Sequence, residues 1–157
     1  MLTPTVRPGQ PADLPALARL WYEKTVLQQQ ADPRLRFAPD AEARWLSVAA
    51  GWLTDANTAL LVAVDGAAPA GYAVVRVEPG APGLLPERVG VLLDMALDTH
   101  RYRGGVGRGL VSAAHDWLRH RGVGQLTVAV ARGSAVEQAF WRSLGAREWM
   151  DCLWMTF

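Results

Sequence analysis

The chain has 157 residues, half of them hydrophobic and a fifth charged. That is the make-up of one compact domain, spanning residues 1–157, with enough apolar material for a core that needs no cross-links. A formal net charge of +1 excludes a global electrostatic pull toward nucleic acid or a membrane surface, and no stretch approaches the ~20 apolar residues of a membrane span. Cys152 is the only cysteine, so neither an internal disulfide nor a cysteine-based metal cluster is expected, and a reducing, cytoplasmic compartment is. The first eight residues lack the apolar core of a signal peptide, so none is expected.

In chain order, residues 3–7 read as a short edge strand ended by Pro8 and Gly9, since proline is tolerated at sheet edges. Asp13 is a good N-cap, Pro15 suits a first turn, and Leu14, Leu17, Trp21 and Val26 recur at helical spacing, which predicts a helix over 13–29. A proline-containing loop over 31–39 leads to a second helix over 40–54. The apolar run 58–64, the turn at Asp65 and Gly66, and the run 70–77 predict an antiparallel hairpin. After a loop over 79–86 rich in proline and glycine, 89–98 is a third strand of this group. A glycine-rich turn over 104–109 opens a helix reaching about 121, with Leu110, Val111, Ala114, Trp117 and Leu118 on one face. A strand over 125–131, a helix over 135–144 stopped by Gly145, and a last strand or hairpin arm over 148–157 complete the chain. Cys152, inside the apolar run of that last strand, is expected to be a buried core thiol. The order is too strand-rich between helices for a regular parallel repeat, so a mixed α/β domain is predicted.

The strand, glycine turn and helix over 92–110 carry the strongest chemical signal. A helix N-terminus presents unpaired N–H groups and a partial positive charge, and glycines let the backbone approach a phosphate closely. Arg101, Arg103 and Arg108 add cations. A triphosphate-binding loop would need Gly-Lys-Ser/Thr, but Gly107 is followed by Arg108 and Gly109. A dinucleotide loop would need a glycine where Leu110 stands. A pyrophosphate cradle and a purely structural turn remain.

The segment from Leu93 to Gly145 resembles the central part of the GNAT acetyltransferases. Their Q/R-x-x-G-x-G/A signature is matched by Gly105, Val106 and Gly107, with Tyr102 in the Q/R place. Their later N-x-x-A-x-x-F-Y-x-x-x-G-F block is matched by Phe140 and Gly145. In that block Ser134 stands in the Asn place, Trp141 in the Tyr place and Ala146 in the last Phe place. The opening stretch from Val6 to Leu14 is similar to the family's first strand and helix entry. The resemblance implies a mostly antiparallel mixed sheet, split between its fourth and fifth strands and flanked by about four helices.

It further implies acetyl-CoA as co-substrate. Pantetheine would lie along Met95, Ala96 and Leu97, and pyrophosphate would rest on backbone amides from Tyr102 and Arg103 through Gly104, Gly105, Val106 and Gly107, beside Arg108. Ser134 and Phe140 would line the far side. A primary amine of a small molecule, amino acid or peptide would attack the thioester directly. That needs a base for the amine proton, an oxyanion donor and an acid for the leaving thiolate. Asp94 and Glu78 are the candidate carboxylates. Trp141 takes the place of the family's acidic Tyr, and because indole does not ionise usefully near neutral pH, water or another group is expected to supply that proton. A catalytically silent acyl-CoA sensor is the rival expectation. His100, His115 and His120 have no metal-ligand spacing, and no metal is expected. The apolar final segment is expected either to pair in a homodimer or to complete the sheet.

Overall fold

The computed structural model describes residues 4–100 and 104–157. Five strands form one sheet in the order β1 (Thr5–Pro8), β2 (Thr58–Asp65), β3 (Ala68–Pro79), β4 (Arg88–Leu97) and β5 (Leu126–Thr127). Neighbours are antiparallel except β4 and β5, which are parallel. Helices α1 (Leu14–Ala31) and α2 (Ala41–Trp52) precede β2. Helix α3 (Val106–Arg119) joins β4 to β5, and α4 (Ala135–Ser143) comes after β5. The predicted helices over 13–29 and 40–54 correspond to α1 and α2, with a short 3-10 turn at Pro11–Asp13 ahead of the first.

The central strands are buried on both faces, so their sequences read as apolar runs rather than as alternation. Two cores result. On one face Tyr72, Val74, Leu60 and Val62 pack under Leu17, Ala18, Trp45 and Ala49 of α1 and α2. On the other, Ala73, Val75, Val77, Leu61 and Ala63 pack under Val106, Leu110, Ala114 and Leu118 of α3. An aromatic group fills the first core. Trp45 stacks on Trp21 with ring centroids 5.8 Å apart and meets Trp52 and Tyr72 edge-on at 5.9 and 5.7 Å. Each such pair adds about 1 kcal/mol beyond the burial of its area.

The entry to α1 is locked by charge. Arg7 donates to both carboxylate oxygens of Asp13 at 2.8 Å, and the Gln10 N–H donates to Asp13 Oδ2 at 2.8 Å. Asp13 is buried, and its carboxyl is held below the usual carboxylate range, above all by the Arg7 hydrogen bonds.

Three expectations fail in the last third of the chain. The strand expected over 125–131 shortens to Leu126–Thr127, because β5 pairs with β4 only through Gly90 and Val91 and a strand without a ladder has nothing to satisfy its backbone. Residues 148–157 form no strand. Their apolar side chains stand in solvent, with Trp149 71%, Leu153 89% and Met155 76% exposed. Cys152 is exposed with them, so it is not a core thiol.

Candidate active site

The site grows from the separation of β4 and β5. Strand β4 is paired with β3 along its whole length, from Arg88 opposite Pro79 to Leu97 opposite Gly71. Toward β5 its pairing ends at Val91, so among the described residues 92–97 have no strand partner on that edge. This is the gap in the sheet expected between the fourth and fifth strands.

The ladder shows which backbone groups face the gap. The Asp98 N–H donates to Ala70 O on the β3 side at 2.9 Å. Antiparallel strands alternate, so the neighbouring Leu97 N–H is directed to the opposite, open edge. Between Val74 and Val75 the register shifts, with Val74 opposite Asp94 and Val75 opposite Leu92. Leu93 is therefore an extra residue in β4. Such a bulge bends a strand and re-aims the side chains next to it. Here it places both Leu93 and the Asp94 carboxylate on the face covered by α1 and α2.

The C-terminal end of β4 leads to α3. Gly104 and Gly105 have φ of 90° and 86°, left-handed values that glycine adopts without strain. Gly105 is the N-cap, and as a glycine it brings no side chain of its own to cap the helix. The amides of Val106, Gly107 and Arg108 lie in the first turn, where a helix offers no acceptor of its own. A Cβ on Gly107 would sit 3.0 Å from Phe140 Cζ and 3.3 Å from Leu97 Cδ1. The glycine turn, the end of β4 and α4 are thus brought into contact at Gly107. Arg108 donates to Ser143 Oγ on α4 at 2.9 Å, fastening the two helices.

Of the other residues singled out by sequence, Ser134 is the N-cap of α4 and accepts from the Glu137 N–H at 3.4 Å. Phe140 meets the buried Trp141 edge-on with centroids 5.2 Å apart. Met95 and Leu97 pack toward α3, while Ala96 belongs to the core under α1 and α2. Tyr102 and Arg103 lie outside the described residues. The two candidate carboxylates are not brought together. Asp94 is opposite Val74, and Glu78 lies four residues further along β3, roughly 13 Å away at the usual strand rise.

Asp94 sits in a cluster that sequence reasoning missed. Its Oδ1 accepts from Lys24 Nζ and, at 2.9 Å, from the Met95 N–H. Its Oδ2 accepts from Tyr72 OH at 2.7 Å and from Trp45 Nε1 at 3.2 Å. The Tyr72 phenol is pushed well above its ordinary value, first by burial and then by the charge of Asp94, so it stays a donor. The available signal was a lone carboxylate in the apolar run from Leu92 to Leu97, which demands a buried partner, together with a chain that has Lys24 as its only lysine. Shallow clefts run along α1. One of about 290 Å³ is lined by Leu20, Glu23, Asp98 and His100, at the α1 side of the sheet. Among the described residues no group of His, Cys, Asp or Glu could hold a metal ion.

The arrangement offers a glycine-rich helix N-terminus with free amides beside an open strand edge. Among curated proteins there is no significant match. The fold matches the BH1408 protein of Bacillus halodurans, as its tetramutant, with a TM-score of 0.83 at 18% identity over 100% of both chains. It matches aminoglycoside 6'-N-acetyltransferase AAC(6')-IG of Acinetobacter haemolyticus with a TM-score of 0.76 at 18% identity, covering 98% of this chain and 97% of that one. A predicted acetyltransferase of Clostridium acetobutylicum, solved with acetyl-CoA, matches with a TM-score of 0.77 at 12% identity, covering 98% and 96%. The family model for the acetyltransferase (GNAT) family matches residues 18–146, and the chain belongs to that family.

Proposed function

We propose that the protein is an N-acetyltransferase, one acyl-CoA-binding domain over residues 1–157, that moves the acetyl group of acetyl-CoA to a primary amine by direct attack in a ternary complex. The observation that carries this reading is the junction at Gly107, where the open edge of β4 runs into a helix N-terminus capped by a glycine, with Phe140 against it. The amides of Gly104, Gly105, Val106 and Gly107, with those of Tyr102 and Arg103 and the side chain of Arg108, bind the pyrophosphate. The edge of β4 over Met95, Ala96 and Leu97 binds the pantetheine arm as an added strand would bind, through the outward-facing carbonyls of Met95 and Leu97. Phe140 walls the far side, with Ser134 holding the start of α4.

The acceptor amine loses its proton to a carboxylate or to water held by one, with Asp94 and Glu78 as the candidates, and attacks the thioester carbonyl. The Leu97 N–H, aimed into the gap, stabilises the developing oxyanion; a donor so placed is worth about 3 kcal/mol. As the tetrahedral intermediate collapses the carbon–sulfur bond breaks. Water protonates the departing thiolate, since Trp141 stands where an ionisable phenol would serve, and a thiol with a pKa near ~8.5 is already a fair leaving group. Trp141 acts by packing against Phe140.

A small-molecule amine is the favoured acceptor, in keeping with the fold shared with aminoglycoside 6'-N-acetyltransferases; amino acids and peptide amines are next in order. No metal takes part, and the protein works in the cytoplasm without nucleic acid or membrane. Among the described residues no helix is long and apolar enough to cross a membrane. The exposed apolar end of the chain serves a homodimer.

Titration calorimetry with acetyl-CoA and a thiol-release assay over a panel of amines test the proposal. Micromolar binding together with amine-dependent release is expected. Binding without release above hydrolysis would assign the chain to the sensors, a reading that Trp141 favours, and absence of binding would overturn both.

A further inference from the structure

We propose that Asp94 is a positioning residue, which fixes the open edge of β4 for acyl transfer, and that it does not act as the base for the acceptor amine. The inference rests on the acetyl-transfer reading above and deepens it.

An ionised carboxylate offers about four lone-pair sites. At Asp94 all are claimed, by Lys24 Nζ and the Met95 N–H on Oδ1 and by Tyr72 OH and Trp45 Nε1 on Oδ2. The four donors come from α1, α2, β3 and β4, so every element packed around the carboxylate contributes one. The Asp94 side chain is 11% exposed and that of Lys24 25%. An incoming ammonium would find no free lone pair. A proton delivered to Asp94 would displace a donor in a buried place and leave the Lys24 charge without its counterion, both unfavourable. A base needs a free acceptor directed at its substrate; this carboxylate has spent its acceptors on the protein.

What the cluster does fix is the bulge. Asp94 comes directly after the extra residue Leu93, at the point where the register of β4 against β3 shifts. Its carboxylate reaches forward to take the N–H of Met95. By strand alternation Met95 and Leu97 both direct their N–H groups to the open edge. With the first engaged by Asp94, the N–H of Leu97 is the one directed at the thioester oxygen. The cluster thereby selects which amide serves and holds it still, and fixed donors at the oxygen where charge develops are the form of help an acyl transfer most needs. Lys24 suits this place as the only lysine in the chain. Its compact ammonium neutralises the carboxylate and leaves one oxygen free for the indole and the phenol.

The test uses the full chain and compares wild type with Asp94→Asn, Asp94→Ala and Tyr72→Phe. For Asp94→Asn we expect kcat to fall about 100-fold, the loss that a misplaced reacting group brings, with little change in KM for acetyl-CoA and the acid limb of the pH profile retained. For Tyr72→Phe, which removes one donor, we expect a fall of about 5-fold of the same character. Amide exchange at Met95 is expected to speed up at least ~10-fold in Asp94→Ala. Loss of the acid limb in Asp94→Asn would make Asp94 the base and overturn the proposal, as would an unchanged kcat in both Asp94→Asn and Tyr72→Phe. Should the wild type release no thiol with any amine, it is the acetyl-transfer reading that fails. The Met95 exchange then decides the positioning role: faster exchange upholds it, and an unchanged rate in Asp94→Ala rejects it.

Discussion

The two sides of β4 are built on different terms. Toward β3 the strand is registered along its full length, and beyond it β3, β2 and β1 continue in antiparallel order under α1 and α2. Toward β5 it is paired only at Gly90 and Val91, and the chain after β5 is held by helix contacts and surface charges. The first side is sealed by apolar area and by buried polar groups with matched partners, Arg7 with Asp13 and Lys24 with Asp94. Among the described residues the second leaves 92–97 without a strand partner, a cost that a ligand in the place of the missing strand would offset. The same strand is therefore core on one edge and open on the other, and in the function proposed above the open edge is the binding surface.

The largest effect is expected where the open side is tightest. In Gly107→Val the new Cβ would fall 3.0 Å from Phe140 Cζ and 3.1 Å from Cε2, and its methyls would force α4 away from the first turn of α3. The amides there would lose their common direction. We expect the dissociation constant for acetyl-CoA to rise about 100-fold, or about 2.7 kcal/mol, in a protein whose far-UV circular dichroism matches wild type. An unchanged constant would mean that the phosphate socket lies elsewhere and that the contrast between the two edges has no bearing on binding.

A middle-sized effect is expected on the closed side, at Asp13. Asp13→Asn leaves Arg7 facing a neutral amide in a buried place, and we expect a loss of about 2 kcal/mol at pH 7 in denaturant unfolding. The pH dependence has a definite sign. Because the folded pKa of Asp13 is depressed, the stability it contributes is full above the unfolded value of about 3.9 and is lost as pH falls through the folded pKa. The gap between wild type and Asp13→Asn should accordingly be constant above about pH 5 and should narrow below about pH 4. A gap that stayed constant into acid would show that the ion pair is not what Asp13 contributes.

Legibility from sequence divides along the same line. Helices α1 and α3 are readable because their apolar faces recur at helical spacing, and the hairpin of β2 and β3 because Asp65 and Gly66 punctuate two apolar runs. The glycine turn and the Phe140 block are each visible, but their meeting at Gly107 is not, since spacing along a chain says nothing of which helices touch. The bulge at Leu93 is hidden for a related reason: in a strand buried on both faces there is no polar alternation whose phase could slip visibly. Asp94 stands out as a carboxylate, yet its donors on α1, α2 and β3 come from distant positions. The sequence misleads most over the apolar segment 148–157, which reads as buried and is exposed. Hydrophobicity states that a segment gains by burial, but not that its own chain supplies the cover.

That exposed segment carries the smallest effect and the sharpest contrast with Asp13. It is tied back by ion pairs of Arg132 with Asp151 and of Arg142 with Glu148. Their side chains are largely in solvent, 84% and 64% exposed in the first pair and 59% and 84% in the second. In water such pairs gain little, because Coulomb energy is screened and two long side chains must be ordered to make them. Arg132→Ala should therefore change unfolding free energy by no more than about 0.5 kcal/mol, and in Arg142→Ala the loss should be equally small. Both should shrink further in 1 M salt. A loss near that of Asp13→Asn would mean that these ion pairs too are covered in solution, by the second copy proposed above or by the open edge, and would make the two sides of β4 more alike than their strand pairing implies.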